Sequence, residues 1–294
     1  MDMDPVTVAI LFVFGLAVGS FINVVALRYR GDHFSFSPKV IGGRSHCPHC
    51  GRTLRWFELV PLASFIVQGG RCRRCRARIG WQYPLVELLS GAIFAAVPYV
   101  IAAHAAGGAP GVAAAAPALA ALWVIAFELL LLIAYIDLRL QIVPDELTAL
   151  LGAAAVFAAV FTAGASFGAN QSSLGALAAP FGLQGNIWIN RLAAAAIGAG
   201  FFALLIAVTR GRGMGWGDVK LAAPLGFLFG WPDIVFLFAA AFVAGALVGI
   251  WLLLRTKKTM KSAIPFVPFL ALGAGFMFFF GASAIGAYLH IIGV

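Results

Sequence analysis

At 294 residues the chain has room for one large domain or two small ones, yet 62% of its residues are hydrophobic and only 11% are charged. A water-soluble domain carries about a quarter charged residues. Here apolar runs of about twenty residues alternate with short polar stretches, which points to a membrane protein and excludes a secreted, nuclear or cytosolic globular one. The net charge of +9 is concentrated: residues 28–82 hold eleven Lys or Arg against Asp32 and Glu58, and the rest of the chain is neutral. One basic juxtamembrane loop reflects the positive-inside rule and attraction to anionic lipid head groups. With no soluble basic domain of recognisable type beside it, no nucleic-acid partner is expected.

The first apolar run, 6–27, follows Asp2 and Asp4 rather than Lys or Arg and has no small-residue cleavage site, so it reads as a retained anchor and not a cleaved signal peptide. Further runs fall at 85–103, 117–136, 147–164, 189–209, 219–231, 234–254 and 266–289. The expected fold is therefore an all-α polytopic membrane protein of about eight transmembrane helices, with a polar loop after the first. The run 219–231 is the weakest, being short and interrupted by Pro224, and a six- or seven-span version stays open. If the first loop is cytoplasmic, alternation places every basic residue but Arg191 on that side and both termini outside. The far-side segments 104–116 and 164–186 are uncharged and rich in small residues, as simple connections are.

All four cysteines lie in the first loop, as Cys47 and Cys50 in CPHC and Cys72 and Cys75 in CRRC. Two such pairs suit zinc, because each grips one edge of a tetrahedron and the intervening chain closes the site. Disulfides are disfavoured on the reducing side of the membrane. Four thiolates leave a zinc site at charge −2, which Arg71, Arg73, Arg74, Arg76 and Arg78 can offset. A site closed by four sulfurs is structural, having no open position for a substrate. His46 and His49 are adjacent alternative ligands.

Carboxylates at membrane boundaries are costly and call for an explanation. Asp137 ends the third run in AYIDLRLQIVPDEL, and Asp218 opens the sixth in GMGWGDVKL. The topology returns both to one face, where a pair of carboxyls sharing a proton would have the equipment of an aspartic peptidase. Asp145, on the same side, is a rival partner that spacing does not exclude. Glu128 precedes Asp137 by nine residues, which puts it on the opposite helix face, where a polar contact between helices is the expectation. Glu87, in YPLVELL, is open to two readings: pairing with a loop arginine, or lining a binding site. Gly213, Gly215 and Gly217 strip side chains from a helix start, leaving amides that an extended peptide can approach. Gly19, Ser20 and Asn23 can form a helix-packing face.

Taken in order, GSFINVV, CPHC, CRRC, YPLVELL, IDLRLQIVPD, GMGWGDVKL and PFVPFLALG resemble the bacterial type IV prepilin peptidases, the prepilin leader peptidase and N-methyltransferases, over nearly the whole chain. The resemblance implies a GxGD-type aspartic endopeptidase of the bacterial inner membrane, with its active site facing the cytoplasm. Such enzymes remove the basic leader of type IV prepilins or type II secretion pseudopilins after a glycine. They then methylate the new N-terminal residue with S-adenosylmethionine. On that basis Asp137 and Asp218 match the catalytic pair, while Asp145, Gly215, Gly217 and Glu87 are supporting motif residues. Cys47, Cys50, Cys72 and Cys75 match a zinc loop, and Gly70 and Arg71 match a Gly-Lys pair tied to methylation. The implied organisation is an anchor over 1–27, a zinc-binding loop associated with methylation over 28–83, and a peptidase domain over 84–294. Two departures stand out: a long far-side stretch before Asn186, and Val267 where glycine is common. The rivals are a proton-coupled transporter relaying protons through Asp137, Asp218 and Glu128, and a non-catalytic zinc-loop scaffold for pilus or secretion machinery.

Overall fold

The computed structural model describes residues 3–31, 35–106, 110–164, 186–211, 213–255 and 264–292. Among these there is no β-strand, only two isolated bridges. Every predicted apolar run is a helix, in the order α1 (Pro5–Arg28), α2 (Pro38–Ile41), α3 (Ala63–Val67), α4 (Gln82–Ala106), α5 (Pro110–Leu140), α6 (Asp145–Gly164), α7 (Ile187–Thr209), α8 (Trp216–Phe229), α9 (Asp233–Arg255) and α10 (Val267–Ile292). Six of them, α1, α4, α5, α6, α7 and α9, are long and apolar enough to cross a membrane among the described residues, and Val267–Gly281 of α10 is a shorter apolar stretch. The eighth is the weak run: α8 has 14 residues. At about 1.5 Å per residue it spans about 21 Å, short of a hydrocarbon core of about 30 Å.

The segment 104–116, expected as a plain connection, is largely helical, because α4 runs on to Ala106 and α5 begins at Pro110. The reason is local: Pro is preorganised for a helix start, and the alanines at 113–116 are the strongest helix formers. The expected far-side connection 164–186 falls, but for its ends, outside the described residues, as do Arg212, Lys257, Lys258 and Lys261.

The chain forms two compact units, Met1–Gly107 and Gly108–Val294. In the first, Asp4 caps α1 by accepting the Thr7 amide at 2.7 Å. Helix α1 packs on α4. Gly15 faces Ser90 and Gly91, Gly19 faces Glu87, and Asn23 donates to the Tyr83 carbonyl at 3.2 Å, so the two helices run antiparallel. A Cβ at Gly15 would lie 2.7 Å from the Ser90 carbonyl oxygen, and one at Gly19 would lie 2.7 Å from the Glu87 Cα. The glycines thus let two backbones meet, and the Ser90 hydroxyl uses that approach to donate to the Gly15 carbonyl at 2.7 Å. The packing face expected at Gly19 and Asn23 is the one the structure uses.

In the second unit α6 packs on α5 and α8, α7 packs on α8, and α10 packs on α5 and α9. The short α8 lies tight against α7, where a Cβ at Gly226 would sit 2.5 Å from the Ala194 carbonyl oxygen. Its C-terminal carbonyls would face hydrocarbon unpaired, and Arg191 answers this. Its guanidinium donates to the Phe227 carbonyl at 2.8 Å and to that of Leu228. Asn190 donates to the Trp231 carbonyl at 2.8 Å and accepts the Trp231 amide at 2.9 Å. A cation at a helix C-terminus also meets the negative end of the macrodipole. The one basic residue that the charge rule leaves on the far side is therefore a helix cap. Replacing it by a similarly long apolar residue, Arg191→Met, is expected to cost about 2 kcal/mol, read as a lowered melting temperature of the detergent-solubilised protein, with Arg191→Lys falling between the two.

Candidate functional site

Helix α5 brings Asp137 to within one turn of its C-terminal end, where the chain leaves the helix at Gln141 with φ 54. The carboxylate is buried. Its Oδ2 accepts the backbone amide of Val267 at 3.2 Å, and Val267 is the first residue of α10. The substitution noted at Val267 leaves this contact intact, because the donor is main chain while the side chain is buried elsewhere in the packing. Asp218, in the first turn of α8, is also buried, and its Oδ2 accepts the Gly215 amide at 3.2 Å. Each carboxylate is therefore held by a backbone N–H at the N-terminus of a helix, where orphan amides and the positive end of the dipole favour an anion. The charge of Asp218 reaches Asp137, so the fold brings together two residues separated by 81 positions.

The glycines around Asp218 divide by role. A Cβ at Gly217 would lie 2.7 Å from Cγ2 of Val143, so this glycine lets the start of α8 seat against the link between α5 and α6. A Cβ at Gly215 would meet only the Gly217 amide nitrogen, at 3.9 Å, which leaves the backbone there open to an approaching chain. Sequence reasoning assigned open approach to all three glycines and missed Val143, an apolar residue in a short link with no motif signal. Asp145, the rival partner, opens α6, is exposed, and pairs with the Lys220 ammonium at 2.7 Å. Glu128 is buried within α5, nine residues before Asp137, or about 13.5 Å along the helix axis.

In the first unit the four sulfurs converge: their ligand atoms all lie within 4.8 Å of one another, and Cys47 and Cys75 Sγ are 3.8 Å apart. A tetrahedral zinc with Zn–S bonds of about 2.3 Å demands S···S separations of about 3.8 Å, so the donor set fits that ion. Both pairs are built alike. The Cys47 amide donates to the Arg52 carbonyl and the Gly51 amide to the Cys47 carbonyl, each at 2.9 Å. The Cys72 amide likewise donates to the Ala77 carbonyl at 2.9 Å, and the Arg76 amide to the Cys72 carbonyl at 3.0 Å. Gly51 and Arg76 occupy the equivalent left-handed position, with φ 67 and 57. Short bridges flank the turns, His46 with Thr53 and Arg71 with Arg78. The amides of Cys75 and Arg74 draw the Cys72 thiol down to about 6. The Ala77 amide acts the same way on Cys75, but lost hydration and the neighbouring Cys72, Cys50 and Cys47 sulfurs outweigh it and push that thiol up to about 11. A cluster whose members resist ionising together is one that a cation stabilises.

Between the pairs, Gly70 holds φ 63, and a Cβ there would lie 3.1 Å from the Phe65 ring, so only glycine suits the position. Of the two readings offered for Glu87, the structure shows no ion pair with a loop arginine among the described residues. Glu87 accepts the Leu62 amide at 2.9 Å, tying the middle of the loop to α4 at the point where Gly19 of α1 packs on the Glu87 backbone. The arginine pair belongs instead to Glu58, which meets Arg52 and accepts the Arg55 amide at 2.9 Å.

Two family models match this chain: residues 13–101 match the Bacterial Peptidase A24 N-terminal domain, and residues 123–250 match the Type IV leader peptidase family. A prepilin leader peptidase/N-methyltransferase of Burkholderia pseudomallei (strain K96243) is 36% identical over 293 residues, covering 93% of this chain and 85% of the relative. The protein of that name from Bacillus subtilis (strain 168) is 32% identical, with 96% and 98% covered. The one from Aeromonas hydrophila is 32% identical, with 96% and 93% covered. No solved structure matches the chain.

The packing of Gly217 on Val143 separates two otherwise similar variants. Gly217→Ala is expected to lower the melting temperature in detergent clearly, by the cost of overpacking, about 1–3 kcal/mol. Gly215→Ala leaves it within about 0.5 kcal/mol of the parent. The Val143→Ala change made together with Gly217→Ala should recover part of the loss.

Proposed function

Because this chain belongs to the type IV leader peptidase family, we propose that it is a multi-pass inner-membrane aspartic endopeptidase that removes the basic leader from type IV prepilins or type II secretion pseudopilins, after a glycine. It then methylates the new N-terminal residue. Asp137 and Asp218 are the catalytic pair. The observation that carries this assignment is that these two carboxylates are buried, each accepts an amide at the N-terminus of a helix, and one lies within electrostatic reach of the other. Asp145 has a different task, since its partner is the Lys220 ammonium at the surface. Glu87 and Gly217 act by holding backbone in place, and Gly215 keeps the approach to Asp218 clear.

The chemistry follows from two carboxyls that share one proton. The ionised one takes a proton from an attacking water while the protonated one donates to the scissile carbonyl and polarises it. The pair then returns the proton to the leaving amine, and its titration belongs to both groups together. A prepilin has an apolar helix just after its cleavage point, which lies in the bilayer and leaves the scissile bond near the cytoplasmic interface. The charge distribution supports placing Asp137 and Asp218 at that interface and both termini on the periplasmic side.

Functionally the chain divides into an anchor over 1–27, a loop over 28–83 that serves methylation, and the peptidase machinery over 84–294. Cys47, Cys50, Cys72 and Cys75 hold one structural zinc, which keeps the two turns together. The relatives are N-methyltransferases, which calls for a methyl donor; S-adenosylmethionine is that cosubstrate by resemblance, and Gly70 and Arg71 are the residues of this chain tied to that step on the same ground.

Purified protein is expected to cut a peptide carrying a basic leader, a glycine and an apolar helix. Asp137→Asn and Asp218→Asn should each abolish cleavage, by at least about 10³-fold, while leaving the melting temperature and metal content intact. Asp145→Asn should keep most activity. A transporter or scaffold would show no cleavage in the parent protein. For the metal, we expect about one zinc per chain by elemental analysis of the purified protein. Cys47→Ser combined with Cys72→Ser should lose it and open residues 28–82 to limited proteolysis.

A further inference from the structure

The stretch between the two cysteine turns is apolar and uncovered. Trp56 is 79% exposed, Ile66 74% and Val67 73%, with Leu59 and Val60 also exposed, and Trp81, after the second turn, is 77% exposed. A loop standing in water would be expected to bury such residues or to lack them.

The position of this stretch along the spans explains the pattern. The Leu62 amide, at its centre, donates to Glu87 at 2.9 Å. Glu87 lies five residues into α4, or about 7.5 Å along its axis, where its backbone meets Gly19 of α1, nine residues before that helix ends at Arg28. Helix α4 has 25 residues, which is about 37 Å, so about 7 Å of it exceeds the hydrocarbon core. Glu87 therefore stands near the boundary between acyl chains and head groups. Leu62 is fastened at that depth, and the chain on either side of it cannot rise far into the solvent.

The surrounding side chains match the same zone. Arg71, Arg73, Arg74, Arg76 and Arg78 are all exposed and lie in sequence between Val67 and Trp81. The segment is stiffened rather than loose: the Phe65 and Trp81 rings are 5.2 Å apart, and Arg73 lies 5.1 Å over the Phe57 ring. Trp beside apolar residues, with Arg next to them, is the composition of a membrane interface, where indole sits among the glycerol groups and guanidinium meets lipid phosphate.

We propose that residues 56–67 with Trp81 form an interfacial anchor that dips into the head-group layer of an anionic bilayer, with Arg71–Arg78 on the lipid phosphates. The anchor holds the cysteine turns down against the membrane at the end where α1 stops and α4 starts. It stands independently of the peptidase reading, because it uses neither Asp137 nor Asp218.

The test uses the full-length protein, one chain per disc, in phosphatidylcholine discs with and without phosphatidylglycerol, with lipid brominated close to the glycerol backbone as quencher. The fluorescence contributed by Trp56 is the parent signal minus that of Trp56→Phe, and Trp81→Phe gives a second, separate reading. Both positions are exposed, so these variants are expected to fold, and their zinc content checks it. We expect both contributions to be quenched by the brominated lipid several-fold more than by acrylamide in the water, and the preference to fall when phosphatidylglycerol is omitted. Equal or greater quenching by acrylamide overturns the proposal. It is equally overturned if protection arises only on adding a prepilin-type peptide, which would make the substrate helix the occupant. Protection seen only in discs holding two chains overturns it too, by making a second copy the occupant.

Discussion

A carboxylate buried in protein, away from water, must find its hydrogen bonds there, and here each of two finds one at the start of a helix. Asp137 accepts the first amide of α10, and Asp218 accepts the Gly215 amide at the start of α8. Those amides are the groups a helix leaves unpaired at its N-terminus, so the arrangement meets two needs at once. It also dictates much of the second unit. Helix α10 has to begin beside the end of α5, and α8 has to begin beside the link that follows it, where Gly217 admits Val143.

The same constraint accounts for the far end of α8. A helix of 14 residues that starts at Trp216 runs out before it can cross a bilayer, and its last carbonyls would be stranded. Arg191 supplies donors for Phe227 and Leu228, and Asn190 takes both polar groups of Trp231. The helix is thus bracketed by a negative group at its positive end and a positive group at its negative end. An arginine buried in an apolar medium is tolerable where one of its nitrogens serves two carbonyls that need a donor.

The first unit solves a different problem, that of ordering a long polar loop between two spans. The loop has little apolar material it can bury, and small domains of that kind rely on a metal or similar cross-link. Two turns with the same hydrogen-bond pattern bring the sulfurs together, and Glu87 fastens the stretch between them to α4. Helix α1 can pack at that point because Gly15 and Gly19 remove the bulk that would hold the two helices apart. Four thiolates held this close repel one another, and a cation among them offsets that repulsion.

The helical class, the position of every apolar run, the pairing of cysteines into two turns and the two candidate carboxylates were all legible in the amino-acid order. Each rests on local information: hydrophobic run length, CxxC spacing, or a charged residue at the end of an apolar stretch. The partners of those residues were not legible. Nothing near Asp137 in sequence announces the Val267 amide, Arg191 looked like a stray far-side charge, and Glu87 had two readings of which neither was the Leu62 amide. Asp145 stood as a rival to Asp218, and its ion pair with Lys220 was not legible either. Composition and periodicity determine which segments leave water, because that transfer is decided residue by residue. Which polar group meets which was decided by the tertiary structure, because backbone amides carry no residue identity and their donors become specific only when helix ends meet in space.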